Sequence, residues 1–257
     1  RFAAHNKMDI EPLLWAFKEL LRKQSNTLLL LAGKDTGQYG REVKRLASAM
    51  GLSGVVKVHC NPSAEEKLFF YAASDIFVSF SDSLSESFGL TVLEAMASGL
   101  PVVVSDWDGY RDLVEHGKQG FLVPTYWSRN NARGADSHFR LTDAWQREHL
   151  YHAQSVCVDV KKIIEYLAAF INSKALRKKC GARGRASIIK NYEWKTLIQR
   201  YEKLWRDLSK EAQAYSHRHQ RQWAFISRYF DFFQNYPTQW IDENACLSIT
   251  RRGEECL

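Results

Sequence analysis

Two hydrophobic rhythms alternate between residues 11 and 124. Short unbroken apolar runs at 27–32, 55–59, 76–80, 101–105 and 120–124 have the length of strands buried on both faces. Before and between them, residues 11–23, 38–50, 64–73, 91–98 and 108–116 carry helical patterns. Strands joined through helices run parallel, so the alternation predicts an α/β fold with a Rossmann-like parallel sheet and helices on both faces. Ligands of such sheets gather at the carboxyl ends of the strands. Three loops meet there: Gly33-Lys34-Asp35, Asn61-Pro62-Ser63 and Ser81 to Ser85.

The pattern changes after residue 124. Residues 125–156 are rich in Arg, Asn, His and Trp without an apolar period and read as an insertion or long loop. Residues 158–205 read as two or three amphipathic helices, with Ile163, Ile164, Leu167 and Phe170 on one face and Leu197, Tyr201, Leu204 and Trp205 on another. A polar stretch then leads to an aromatic-rich helix bearing Trp223, Phe225, Ile226, Tyr229, Phe230 and Phe233, whose apolar face needs a cover. The expected division is a ligand-binding domain over 1–205 and a helical extension over 206–257.

With 45% apolar residues in 257, the chain has ample material for a packed core. No apolar run reaches the ~18 residues of a membrane span. The five cysteines lack metal-ligand spacing, which points to a reduced, cytoplasmic setting. Charge is uneven: residues 1–124 hold 13 Lys and Arg against 15 Asp and Glu, and residues 125–257 hold 23 against 14. Basic clusters such as Arg177-Lys178-Lys179 can attract anionic surfaces, so peripheral contact with the inner face of a membrane stays open. No nucleic-acid recognition motif is present.

The most chemical stretch is Glu86-Ser87-Phe88-Gly89-Leu90, followed by a short helix carrying Glu94 and stopped by Gly99 and Pro101. The amides of Phe88, Gly89 and Leu90 lie near the positive end of that helix, a seat for phosphate, and Ser87 either bonds phosphate or caps the helix. Carboxylates accept hydrogen bonds from vicinal hydroxyls and repel phosphate, so one ligand served by both carries sugar or ribose beside phosphate. A nucleotide-sugar has that composition.

The setting ESFGLTVLEAMASGLPVVVSD, with two glutamates eight residues apart, closely resembles the donor-binding C-terminal half of GT-B glycosyltransferases of family 4. The resemblance extends from Arg1 and Lys7 in RFAAHNKMD, through LLLLAGKD and YAASDIFVSFSDS, to DLVEHGKQGFLVPT and NYEWKTLIQRYEKLW. It implies a retaining transfer of a glycosyl group from a nucleotide-diphosphate sugar, without a metal or other cofactor. Glu86 would contact donor-sugar hydroxyls, Glu94 the ribose, and Arg1 and Lys7 the diphosphate, while the base would lie against the loop after the second strand, about His59 to Ser63 with Asn61, and Gly33 would belong to the same donor-binding crevice. It also implies a strand immediately before Arg1, central in the sheet, and an N-terminal domain that binds an acceptor. The chain is thus expected to be part of a longer polypeptide and inactive alone. Asp106-Trp107-Asp108-Gly109-Tyr110-Arg111-Asp112 departs from the pattern, standing where many relatives have a Gly-Gly turn followed by Pro-Glu. A sucrose- or trehalose-type synthase or phosphorylase of the same fold, and a non-catalytic partner-binding module, remain as alternatives.

Overall fold

The computed structural model describes residues 8–128, 152–214, 233–242 and 244–246. Helix α1 (Glu11–Leu21) opens with Pro12 in its first turn, where a missing N–H removes no helical bond. It buries Leu13, Leu14, Ala16, Phe17 and Leu20. The order then follows the apolar pattern: β1 (Leu29–Gly33), α2 (Tyr39–Ala49), β2 (Val56–Cys60), α3 (Ala64–Ala73), β3 (Phe77–Ser79), α4 (Leu90–Ala97), β4 (Val102–Ser105), α5 (Tyr110–Leu113) and β5 (Gly120–Val123). A reciprocal cap starts α3: Ser63 Oγ accepts from the Glu66 amide at 3.1 Å, and the Glu66 carboxylate accepts from the Ser63 amide at 2.7 Å.

β1 and β2 pair in parallel, as do β3, β4 and β5 in that spatial order. Among the described residues the two groups are not hydrogen-bonded to each other. Successive β4 residues serve opposite faces. Val103 joins the core built by α1 and α6 (Val160–Asn172), where Ile163, Leu167 and Phe170 are buried. Val102 and Val104 pack with Val92, Ala95 and Met96 of α4 and Ile188 of α7 (Lys174–Tyr192). Helices therefore cover both faces, which is the architecture the alternation requires.

Three expectations need correction. The helix expected at 108–116 is confined to Tyr110–Leu113, because Val114 turns extended (φ −119°, ψ 118°) and buries its side chain. The expected loop at 125–156 begins and ends in strands: β6 (Thr125–Ser128) pairs antiparallel with β7 (Val156–Val158). The segment after 205 is also not wholly helical. Helix α8 (Trp194–Ala214) runs through that position, but β8 (Gln239–Ile241) pairs in parallel with β6. The aromatic helix expected around 223–230 lies outside the described residues.

The small β7–β6–β8 sheet is fixed by aromatic packing. Trp127 stacks on Trp240 at 4.9 Å, and the Trp107 ring meets Tyr236 edge-on at 5.4 Å. Trp107 and Trp127 are wholly buried. By contrast, Trp194, Ile198, Tyr201 and Trp205 of α8 are exposed.

Candidate functional site

The loop after β3 runs from Phe80 to Gly89 and is held from below. Ser105 Oγ donates to the Ser81 carbonyl at 2.7 Å, and Trp107 Nε1 donates to the Ser83 carbonyl at 3.0 Å. Ser81, Asp82, Ser83 and Leu84 are consequently buried. Glu86 follows at 8% exposure, its amide donating to the Ser83 carbonyl at 3.1 Å. The Glu86 charge lies close enough to Tyr110 to help hold that phenol above its ordinary pKa, after the larger effect of burial.

Gly89 makes the turn into α4. Its φ of +95° is a left-handed conformation, and a Cβ there would stand 2.6 Å from the Tyr110 ring. Tyr110 is itself fixed by a 2.9 Å bond between its hydroxyl and Ser79 Oγ. Gly109 completes the contact, since a Cβ at that position would lie 2.2 Å from the Ser87 carbonyl oxygen. Gly89 is the N-cap residue and no side chain caps the helix, so Ser87 does not fill the capping role left open by the sequence. Among the described residues, the amides of Phe88, Gly89, Leu90 and Thr91 meet no acceptor. Four N–H groups at the positive end of a helix make a place for an anion. The side chains of Ser87, Phe88 and Leu90 are exposed, with the Phe88 ring edge-on to Tyr192 at 5.9 Å.

Glu94 lies on the second turn of α4, half-buried, and meets two partners from α3. Lys67 Nζ donates to Oε1 at 2.7 Å and the Tyr71 hydroxyl donates to Oε2 at 2.9 Å. Burial chiefly, and the Glu94 carboxylate secondarily, hold the Tyr71 phenol well above its ordinary pKa. Lys67 and Tyr71 stand four apart on α3, so both reach the same neighbour. With Gly33, Lys34, Asn61 and Thr91, they line one end of a large cavity.

The loops after β1 and β2 are tied together at that end. The Asn61 amide donates to the Gly33 carbonyl at 2.8 Å, and Asn61 Oδ1 accepts from the Asp35 amide at 2.8 Å. Asn61 adopts φ +56°, which asparagine tolerates better than most residues. His59 pairs with Glu66 at 3.3 Å and packs on Phe70, a structural use. Of the residues singled out in the sequence, the structure gathers Gly33 and Asn61 at one rim, which they share with Lys67 and Tyr71, the partners of Glu94. Glu86 to Gly89 stand beside α5. Arg1 and Lys7 lie outside the described residues.

A model for glycosyl transferases group 1 matches residues 4–139, more than half of the chain. The chain belongs to that family. Similar curated proteins include a D-inositol 3-phosphate glycosyltransferase of Corynebacterium jeikeium, 37% identical over 45% of this chain and 29% of its own length. A sucrose synthase of Denitrovibrio acetiphilus is 32% identical over 41% of this chain and 15% of its length. The chain thus spans less than a third of either relative. Among solved structures, a sucrose-phosphate synthase from Thermosynechococcus elongatus superposes with a TM-score of 0.59 over 82% of this chain and 44% of its own, at 23% identity. An Anabaena protein in complex with UDP superposes at 0.52 over 76% and 44%, at 22% identity. These structures share the fold.

Three residues of this member of the group 1 family were passed over in the sequence. Lys67 and Tyr71 had a signal in their four-residue spacing on a helix beside the site. Asp82 had none: its burial and its bond from the Asp9 amide at 3.0 Å appear only in the folded chain. Burial pushes its carboxyl up to about 7, against the opposing pull of the Asp9 amide. In the departing segment, Arg111 fastens the carboxyl-terminal chain, donating from Nε to Asp106 Oδ1 at 2.5 Å, from Nη2 to the Asp106 and Tyr236 carbonyls, and from Nη1 to the Asn235 carbonyl. Trp107 and Tyr110 are core residues there, each at most 1% exposed. Among the described residues no group of three or more His, Cys, Asp or Glu side chains converges as a metal site. No helix among them is long and apolar enough to cross a membrane.

Proposed function

We propose that this chain is the donor half of a retaining glycosyltransferase that binds a nucleotide-diphosphate sugar across the carboxyl edge of its parallel sheet. The observation that carries the reading is the start of α4. Amides that meet no acceptor among the described residues, at 88–91, lie along the chain between two carboxylates, Glu86 on the loop and Glu94 on the second helical turn. That order of donors and acceptors matches a diphosphate set between two polyhydroxylated groups.

In this reading the diphosphate sits at the α4 amides, with Arg1 and Lys7 as its cationic partners. As the bond from the sugar to the diphosphate breaks, negative charge grows on the leaving phosphate, and fixed N–H groups stabilise it without reorganising. The step calls for no metal ion. Glu86 accepts hydrogen bonds from the sugar hydroxyls and orients the ring. Glu94 accepts from the ribose hydroxyls, which take over from Lys67 or Tyr71 at its two oxygens. The loops at Gly33 and Asn61 border the base. The acceptor, a saccharide, lipid or small molecule, is held by a further domain of a longer polypeptide. The Anabaena neighbour with UDP supports uridine diphosphate as the first donor core to try.

Calorimetric titration of the folded chain with UDP, GDP and ADP tests the reading. Binding of one diphosphate is expected, weakened at least tenfold in Glu94→Ala, a loss of about 1.4 kcal/mol. Equal affinity in the variant removes Glu94 from the site. In the longer enzyme Glu86→Gln is expected to cut turnover ~100-fold, and unchanged turnover removes its assignment.

A further inference from the structure

The turn between β4 and α5 touches two distant parts of the chain, the loop that carries Glu86 and the segment 233–241. Toward the loop it makes two grips, one on each side of Glu86. Trp107 Nε1 donates to the Ser83 carbonyl at 3.0 Å, and Gly109 lies so close to Ser87 that a Cβ there would stand 2.2 Å from the Ser87 carbonyl oxygen. Only Leu84, Ser85 and Glu86 separate the gripped residues, and Leu84 and Glu86 are buried. A shift of residues 107–109 is therefore passed on to Glu86.

On its other side the turn is covered by 233–241. The Tyr236 ring meets Trp107 edge-on at 5.4 Å and Phe233 edge-on at 5.0 Å. The Tyr236 carbonyl accepts from the Asp108 amide at 3.4 Å and from Arg111 Nη2 at 3.1 Å, and the Asn235 carbonyl accepts from Arg111 Nη1. Thr238 Oγ1 donates to Asp106 Oδ2 at 2.7 Å, and the Thr125 and Thr238 amides each donate to the other's hydroxyl, at 2.8 and 3.0 Å. Residues 106, 107, 108 and 111 thus all meet the same short segment.

The turn needs such a hold. Asp108 stands at φ +35°, a left-handed backbone that a residue with a Cβ keeps only where its surroundings fix it, and strain of this kind gathers at functional sites. The Tyr236 hydroxyl lies toward the Asp108 carboxylate: burial chiefly, and that carboxylate second, push the phenol up to about 12. A carboxylate that orients sugar hydroxyls has to be held to within about 0.5 Å by the residues behind it. We propose that segment 233–241 is a working part of the donor site and that Tyr236 is a positioning residue, its ring on Trp107 setting the Glu86 loop for the glycosyl group of the donor. This assignment rests on the reading of Glu86 under Proposed function.

Tyr236→Ala, Tyr236→Phe and Arg111→Gln are compared with the parent by hydrogen–deuterium exchange, without nucleotide, over residues 80–87 and, as a reference, over 163–170 in α6. Loss of the ring should speed exchange at 80–87 about tenfold or more and leave the reference unchanged. Tyr236→Phe keeps the ring and should stay within about twofold of the parent. Arg111→Gln, which releases the Asn235 and Tyr236 carbonyls, should raise exchange at 80–87 by a smaller factor, and it decides the case if the alanine variant does not fold. Unchanged exchange at 80–87 overturns the proposal, and so does an equal rise at 163–170, since the ring then supports only overall stability. Titration with UDP keeps the two readings apart. Ser87 leads into the α4 amides, so Tyr236→Ala, or Arg111→Gln in its place, should weaken UDP about fivefold; equal affinity in parent and variant removes the segment from the donor site. A parent that binds no UDP while exchange follows the expected pattern overturns the donor reading and leaves the hold on the loop standing.

Discussion

Strands β1 and β4 are written in nearly the same language, Leu29-Leu30-Leu31-Ala32-Gly33 and Val102-Val103-Val104-Ser105. They end in different states. β4 has a parallel neighbour on each side and a helix layer on each face, and all four of its residues are buried. β1 has one neighbour among the described residues; Leu30 and Gly33 are half-buried and Ala32 is exposed. An apolar run is a capacity for burial, and edges and faces must both be covered for the capacity to be used. The candidate site straddles this divide, taking Gly33 and Asn61 from the looser group and Glu86 and Glu94 from the tighter one. A ligand spanning it would contact both groups, and its binding would then stabilise the looser one.

The contrast is tested most severely at Trp107, on the tight side. Trp107→Ala removes a fully buried ring and the donor to the Ser83 carbonyl. The expected cost is about 4 kcal/mol in urea unfolding, with faster exchange in the Glu86 loop; a cost below about 1 kcal/mol would show that the aromatic cluster does not hold that loop.

Asp82 comes next, with a sign set by its raised pKa of about 7. Its folded form keeps the proton more tightly than the unfolded chain, in which aspartate titrates near 4. Its contribution is therefore fully present below about pH 4, is lost as pH rises toward 7, and stays absent above. Asp82→Asn should flatten this profile, matching the parent near pH 4 and exceeding it by ~3 kcal/mol at pH 8. Parallel denaturation midpoints across pH 4–8 would remove the assignment.

A matched pair then measures the two strands directly. Val103→Ala in β4 should cost about 2 kcal/mol, whereas Leu30→Ala in β1 should cost under 1 kcal/mol despite deleting more carbon. Equal costs would erase the distinction between the groups. The smallest effect belongs to Lys67→Met. The Lys67–Glu94 pair is 2.7 Å long but 44% and 36% exposed, so unfolding free energy should change by less than about 0.5 kcal/mol. A loss above about 1 kcal/mol would make the pair a structural bolt rather than an element of the site.

Much of this was legible without coordinates. The five parallel strands lie within two residues of their apolar runs, and the helix carrying Glu94 falls where Gly89 and Gly99 bracket it. The β6–β8 pairing was not legible, since Tyr126 and Gln239 meet across more than a hundred residues and neither segment is long enough to announce itself. The Arg111 contacts with Asn235 and Tyr236 were hidden for the same reason. Within the site, the sequence offered both glutamates and the glycine turn, and it left out the Lys67 and Tyr71 contacts to Glu94.

What the sequence determined by itself was local: where the chain turns apolar, with which period, and where glycine, proline and capping residues stop it. Those signals lie within a few residues of the structure they produce, because turn geometry and the hydrophobic period act at short range. Tertiary structure alone decided which apolar runs became buried, which carboxylate acquired a lysine and a tyrosine, and why the Asp82 carboxyl is pushed up from its ordinary range. These properties depend on solvent exclusion and on charges brought together from distant parts of the chain, so they exist only once the layers have packed.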